Sequence, residues 1–152
     1  MNITSIWPWA IFAVALLGMA ALLRLRTDKF LPKSLLTPNE VEFYGRLHQA
    51  LPDYAILPQV ALRAFIRPAA GHNTSAYWRQ LAKIGSKHCD FLICTPGSLS
   101  VVAIIELDDR SHDTTRDATR DRMTAAAGYR TIRYESKNRP TPHRIRNDVL
   151  KA

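Results

Sequence analysis

Charge is missing from the start of this chain. Residues 6–23 contain no Asp, Glu, Lys or Arg, and no Lys or Arg precedes them. Cysteine is scarce too, with only Cys89 and Cys94. Their spacing fits neither a zinc-ligand pair nor a local disulfide, because residues five apart on one strand point to opposite faces. That excludes a disulfide-stapled fold and leaves two buried thiols suited to a reducing compartment. No internal repeat or low-complexity tract is present. Global disorder is excluded, since hydrophobic residues make up 47% of the chain and charged ones 22%.

The charge that is present is basic: 21 Lys+Arg stand against 13 Asp+Glu, a formal net charge of +8 over 152 residues. The first charged side chain is Arg24, so this excess lies on residues 24–152. A field of that sign attracts polyanions such as nucleic acid or an anionic membrane face. It equally serves solubility or the positive-inside signal.

The uncharged run IWPWAIFAVALLGMAALL, residues 6–23, predicts a single transmembrane helix. Trp7 and Trp9 suit a membrane interface, and Pro8 falls in the first helical turn, where a missing N–H costs little. Arg24, Arg26, Lys29 and Lys33 crowd the other end and form a basic juxtamembrane linker over residues 24–35. The positive-inside rule then places residues 1–5 outside and the rest in the cytoplasm, as in a single-pass protein of the inner (cell) membrane. A cleaved signal peptide would want a basic n-region and a shorter apolar core. A buried core helix would show a polar stripe.

The remainder, residues 36–152, predicts one small α/β domain around a central mixed sheet. Thr37-Pro38-Asn39-Glu40 has the form of a capping box with proline at the first helical position. Val41, Tyr44, Leu47 and Leu51 follow at helical spacing. Residues 56–66 predict a strand with Pro58 at an edge or bulge. A short helix is expected within 77–84. His88–Cys94 and Val101–Asp108 flank the turn Thr95-Pro96-Gly97-Ser98 and predict an antiparallel hairpin. A helix over 114–127 ending at Gly128, a strand over 129–135 and a helix over 142–151 complete the order.

Three carboxylates fall on the hairpin, Asp90, Glu106 and Asp108, in strands that are otherwise apolar. Buried charges are costly unless they are paired or bind a cation. Glu106 and Asp108 are two apart and share a face. Asp90 joins them only if the connecting loop has an odd length or a bulge shifts the register, which the sequence leaves open. Clustered carboxylates raise one another's pKa unless a divalent ion neutralises them, and hard oxygen donors suit Mg²⁺ or Mn²⁺.

HCDF, IELDDRSH, the Asp117/Arg120/Asp121 cluster and AAGYRTIRY together resemble the family called domain of unknown function 2726. More broadly they resemble the PD-(D/E)XK nuclease-like superfamily, near its very-short-patch repair endonuclease branch. The leading LTPNEVEFYGRL fits the same pattern, so the resemblance covers about residues 36–136. It implies a restriction-endonuclease-like αβββαβ core and metal-dependent cleavage of phosphodiester bonds in DNA or RNA. It further implies Asp90 and Glu106 as catalytic, metal-holding acids, with Glu40 as an extra metal ligand. His112 would act as general acid or base, and Arg120 and Arg133 would contact phosphates. The superfamily's lysine, two residues after the glutamate, is replaced by Asp108, a feature shared with the branch that carries E-x-D followed by histidine. Lys87 is a candidate replacement cation, although its offset from Asp90 puts it on the other side of the strand.

Simpler roles stand beside these. Glu106 and Asp108 can pair with Arg120, Arg122 or Arg133, and Glu40 can serve only the capping box. Asp109, Asp113 and His112 fit solvated turn positions, and Tyr77 and Trp78 fit a satellite apolar cluster. Two further functions remain open. One is a catalytically inactive nuclease fold that binds nucleic acid or a protein partner. The other is a module that meets anionic lipid.

Overall fold

The computed structural model describes residues 7–24, 30–108 and 114–151. It divides into two units, Met1–Lys33 and Ser34–Ala152. In the first, helix α1 spans Trp7–Arg24, 18 residues. At about 1.5 Å per residue it is ~27 Å long, and its last residue is charged. Among the described residues no helix is long and apolar enough to cross a membrane. The transmembrane expectation for residues 6–23 finds no support among the described residues; α1 is a helix of exposed apolar side chains, Trp9, Ile11, Phe12 and Leu17 among them.

The second unit begins with helix α2, Pro38–Ala50, and its capping box is complete: the Thr37 hydroxyl accepts from the Glu40 N–H, and Glu40 accepts from the Thr37 N–H. Its buried face is Phe43, Leu47 and Ala50. Of the expected stripe, Leu47 and Leu51 are buried and Tyr44 packs against the core, while Val41 is exposed. The Phe43 ring packs 5.9 Å from Phe91 and 5.7 Å from Tyr134, centroid to centroid. Aromatic area of that size decides which side of the helix turns inward. Strand β1, Ala55–Ala61, gives way to a 3-10 turn at Leu62–Ala64, so it is shorter than expected. Helix α3 (Ser75–Ile84), strands β2 (His88–Cys94) and β3 (Val101–Asp108), helix α4 (Thr114–Ala126), strand β4 (Thr131–Glu135) and helix α5 (Pro142–Leu150) follow.

The sheet runs β1-β2-β3-β4. The β1/β2 and β2/β3 pairs are antiparallel, and β4 returns parallel to β3 across the α4 crossover. This is a mixed α/β domain with two buried layers. One contains Phe43, Leu47, Phe91, Ile93, Ile105, Tyr134, Ile145 and Val149. The other contains Leu62, Ile84, Cys89, Leu92, Cys94 and Ile104.

Two irregularities set the site. The β2/β3 register shifts between Ile93 and Cys94, where a bulge takes up one residue of β3. Beyond it Leu92 faces Ile104 and Phe91 faces Ile105. One further step in that register sets Asp90 opposite Glu106. The second lies in β1, where Gln59 adopts a left-handed φ of 52°. Leu57 and Val60 pack against one layer, and Cys89 and Leu92 belong to it, although simple alternation would separate each pair. The two cysteines therefore lie in the same layer rather than on opposite faces. Both are free and buried.

Candidate functional site

Glu106 is the most unusual side chain in the domain. It sits mid-strand in β3, two residues beyond the buried Ile104, and is 2% exposed. Its Oε2 lies 2.8 Å from Arg120 Nη2, presented by α4. Its Oε1 is buried with no hydrogen-bond partner among the described residues. Burial, and the negative charge of Asp90, push its pKa up to about 8 against the pull of Arg120 and Arg133. An unsatisfied buried carboxylate oxygen is a costly arrangement, of order several kcal/mol.

Asp90, across the hairpin, is half-buried, and its Oδ2 accepts the Leu107 N–H at 2.8 Å. Burial raises its pKa, the Leu107 bond and Arg120 oppose that, and Glu40 and Asp108 add to it. Glu40 reaches toward this level from the first turn of α2. Its Oε2 accepts from Thr37 N at 2.6 Å and its Oε1 from Gln59 Nε2 at 2.9 Å. One carboxylate thus serves the cap and a strand contact together.

Asp108 ends β3 and faces Arg133, which stands opposite Glu106 in the parallel register. Arg133 Nη1 donates to both Asp108 oxygens, at 2.8 and 3.0 Å. Its Nη2 donates to Asp121 Oδ1 at 2.8 Å and its Nε to Asp121 Oδ2 at 3.3 Å. Burial would lower the Arg133 pKa, but the bonds and charges of Asp121 and Asp108 outweigh it and raise the value. The guanidinium expected to meet phosphate is thus turned to two carboxylates. Arg120 has a second contact, Nη1 to the His88 carbonyl at 3.4 Å.

The other sequence candidates separate. Lys87 Nζ donates to the Lys83 carbonyl at 2.9 Å, and Arg122 Nε to the Ala118 carbonyl at 3.1 Å. Tyr77 stacks edge-on with Trp78 at 5.3 Å and lies 4.8 Å from His72, centroid to centroid. His112, Asp109 and Asp113 lie outside the described residues, and so does the side chain of Asp117. Gln59 was not among the sequence candidates. Its one sequence signal is a polar residue directly after Pro58 inside an otherwise apolar strand.

Among the described residues no group of three or more His, Cys, Asp or Glu side chains is placed to hold a metal ion. The expected trio of Asp90, Glu106 and Glu40 is corrected to that extent. Asp90 Oδ2, Glu106 Oε2 and both Glu40 oxygens face protein N–H donors. The donor chemistry itself fits a hard divalent cation, and the orphaned Glu106 Oε1 offers an oxygen that nothing else uses. The profile of a family described as Protein of unknown function (DUF2726) matches residues 32–152. No curated protein and no solved structure matches the chain.

Proposed function

Because the chain belongs to that family, DUF2726, whose description carries no activity, we propose a function from the site itself: metal-dependent cleavage of phosphodiester bonds in DNA or RNA by a restriction-endonuclease-like domain. The supporting observation is Glu106, a buried carboxylate with an unpartnered oxygen, set opposite Asp90 and beside Arg120. The element order α2-β1-β2-β3-α4-β4 accords with that superfamily's core. Mg²⁺ or Mn²⁺ held by Asp90 and Glu106 would supply Lewis-acid polarisation of the scissile phosphate and a more acidic bound water. The chain's own part is positional. The Leu107 N–H fixes Asp90, and Arg120 fixes Glu106 and places a cation beside the reacting centre. Asp108 occupies the position of the superfamily's lysine and takes no such role. With Asp121 it holds Arg133 in β4.

Titration of the full chain with Mn²⁺, followed by calorimetry, tests the reading. Saturable binding in wild type, lost in Asp90→Asn and Glu106→Gln together with cleavage of DNA or RNA, is the expected result. Cleavage that survives both substitutions would sink it.

One observation favours a second reading, a catalytically inactive fold that binds nucleic acid or a protein partner. Two of the three hairpin acids, Glu106 and Asp108, already have arginine partners within the domain. That reading expects nucleic-acid binding that weakens steeply with salt and ignores divalent ions.

A further inference from the structure

Residues 54–89 contain no Asp or Glu, and the charges among them are Arg63, Arg67, Arg79, Lys83 and Lys87. Among the described residues none of these cations has a carboxylate partner. Arg79 reaches the Ser75 hydroxyl at 3.5 Å, and Lys87 the Lys83 carbonyl at 2.9 Å. Elsewhere in the same unit the opposite holds: Arg46, Arg120, Arg133, Arg139, Arg144 and Arg146 each pair with a carboxylate. Unpaired positive charge is thus gathered on the segment that links β1 to β2, and it attracts a polyanion there.

Helix α3 organises this segment. Ile84 is buried and Tyr77 and Leu81 are half-buried, while Trp78, Arg79, Ala82 and Lys83 share one exposed arc. Trp78 is 55% exposed. Its ring is braced edge-on by Tyr77 at 5.3 Å, and Tyr77 lies 4.8 Å from His72, centroid to centroid. Arg67 joins the arc from the preceding loop, since it and Lys83 border one cavity of about 240 Å³. A braced, exposed indole beside unpaired cations offers a π-face to a base and charge to its phosphates. The far end of the segment meets the candidate site: the His88 carbonyl lies 3.4 Å from Arg120 Nη1, and Arg120 pairs with Glu106. Anionic lipid would ask for a different face. A helix lying in a membrane interface exposes its apolar side, whereas α3 turns that side inward and leaves Trp78 as its one exposed large hydrophobic residue. A duplex hides its base faces in the stack, and a single strand offers them.

We infer that the exposed arc of α3, with Arg67 beside it, is a docking surface for single-stranded nucleic acid. A base stacks on Trp78, and the flanking phosphates lie on Arg79 and Lys83. This deepens the phosphodiester reading above by naming a single strand as the substrate, and rests on it for the strand's course toward Glu106.

The test uses the full chain in neutral detergent with EDTA. Binding of a fluorescein-labelled oligothymidylate of about 20 nucleotides is read by anisotropy. Wild type should bind it about tenfold more tightly than a duplex of the same length. Trp78→Ala should weaken the oligonucleotide about tenfold, the loss of one base stack. Trp78→Phe keeps a π-face and should recover most of that loss; Trp78→Leu keeps apolar area without one and should behave as the alanine variant. Arg79→Ala with Lys83→Ala should make the salt slope shallower by about 1.4, two phosphate contacts at ~0.7 each. These side chains are exposed, so thermal melting should show every variant folded. Affinities within about twofold of wild type in both Trp78→Ala and the double variant would overturn the proposal. If those variants bound phosphatidylglycerol vesicles more weakly at the same time, the face would be a lipid contact instead. Trp78→Leu binding as wild type does, or duplex binding as tightly as the single strand, would overturn the stacking. A chain that binds in the expected way yet never cuts DNA or RNA with Mn²⁺ would defeat the reading above and leave this surface standing.

Discussion

At the scale of single residues, the carboxyl of Glu106 is pushed well above the ordinary carboxylate range. Its ordinary value of 4.5 is pushed up to about 8, chiefly by burial and by Asp90. The folded state therefore keeps a proton that the unfolded chain releases. The sign follows from proton linkage. The contribution of this group is full below about 4.5, falls as pH rises, and is lost above about 8. Asp90, also raised by burial, acts in the same direction. Without divalent ions, the wild-type melting temperature should fall between about pH 5 and pH 8 relative to Glu106→Gln, which has no proton to lose there. Parallel melting curves for the two across that range would show that Glu106 does not carry this titration. How much of this was legible in the sequence divides cleanly. Charges in an apolar hairpin flagged Asp90, Glu106 and Asp108. The partners Arg120 and Arg133 come from α4 and β4, and their choice depends on the crossover register, which no local pattern encodes. Gln59 was invisible because its distinction is a backbone angle.

Elements were the most readable level, because caps and turns are local chemistry. The α2 capping box, the hairpin strands and the glycine after α4 all follow from adjacent residues; Gly128 has φ 82°, as a helix-ending glycine should. In α2 the expected stripe held at Tyr44, Leu47 and Leu51 and missed only at its first position, where Val41 is exposed and Phe43 turns inward against Phe91 and Tyr134, a choice that fit alone makes. The β2/β3 bulge escaped for a similar reason: it occupies one residue, yet it decides that Asp90 faces Glu106. Two glycines offer a graded check on the element ends. Gly85 closes α3 at φ +48°, and an added Cβ would lie 2.9 Å from the Ala82 carbonyl oxygen. Gly97 turns the hairpin at φ +78° with nothing within 4 Å of its Cβ position. Both alanine variants incur left-handed strain of about 1 kcal/mol, and Gly85→Ala adds a backbone clash. Chemical denaturation should rank Gly85→Ala as clearly less stable than Gly97→Ala. The reverse order would mean that the α3 end adjusts freely.

For the whole molecule, where the chain resides follows from α1 together with the charge on residues 24–152. The helix exposes Trp7, Trp9, Ile11, Phe12, Val14, Leu16, Leu17 and Met19, each more than half accessible. An apolar surface of this extent is unusual on a protein surrounded by water and marks an interaction site. The net charge of +8 lies on residues 24–152 and suits an anionic membrane face. A helix ~27 Å long suits tight association with a bilayer. After cell lysis the full chain is expected to pellet with membranes and to resist a high-salt wash, because apolar burial is not screened by ions. Removal of residues 1–33 should release the rest to the supernatant. An alkaline carbonate wash then separates the two geometries: extraction marks a helix lying in the interface, and retention marks one embedded across the core. A full chain that remains in the supernatant would remove membrane association from the reading and make α1 a contact for another protein surface.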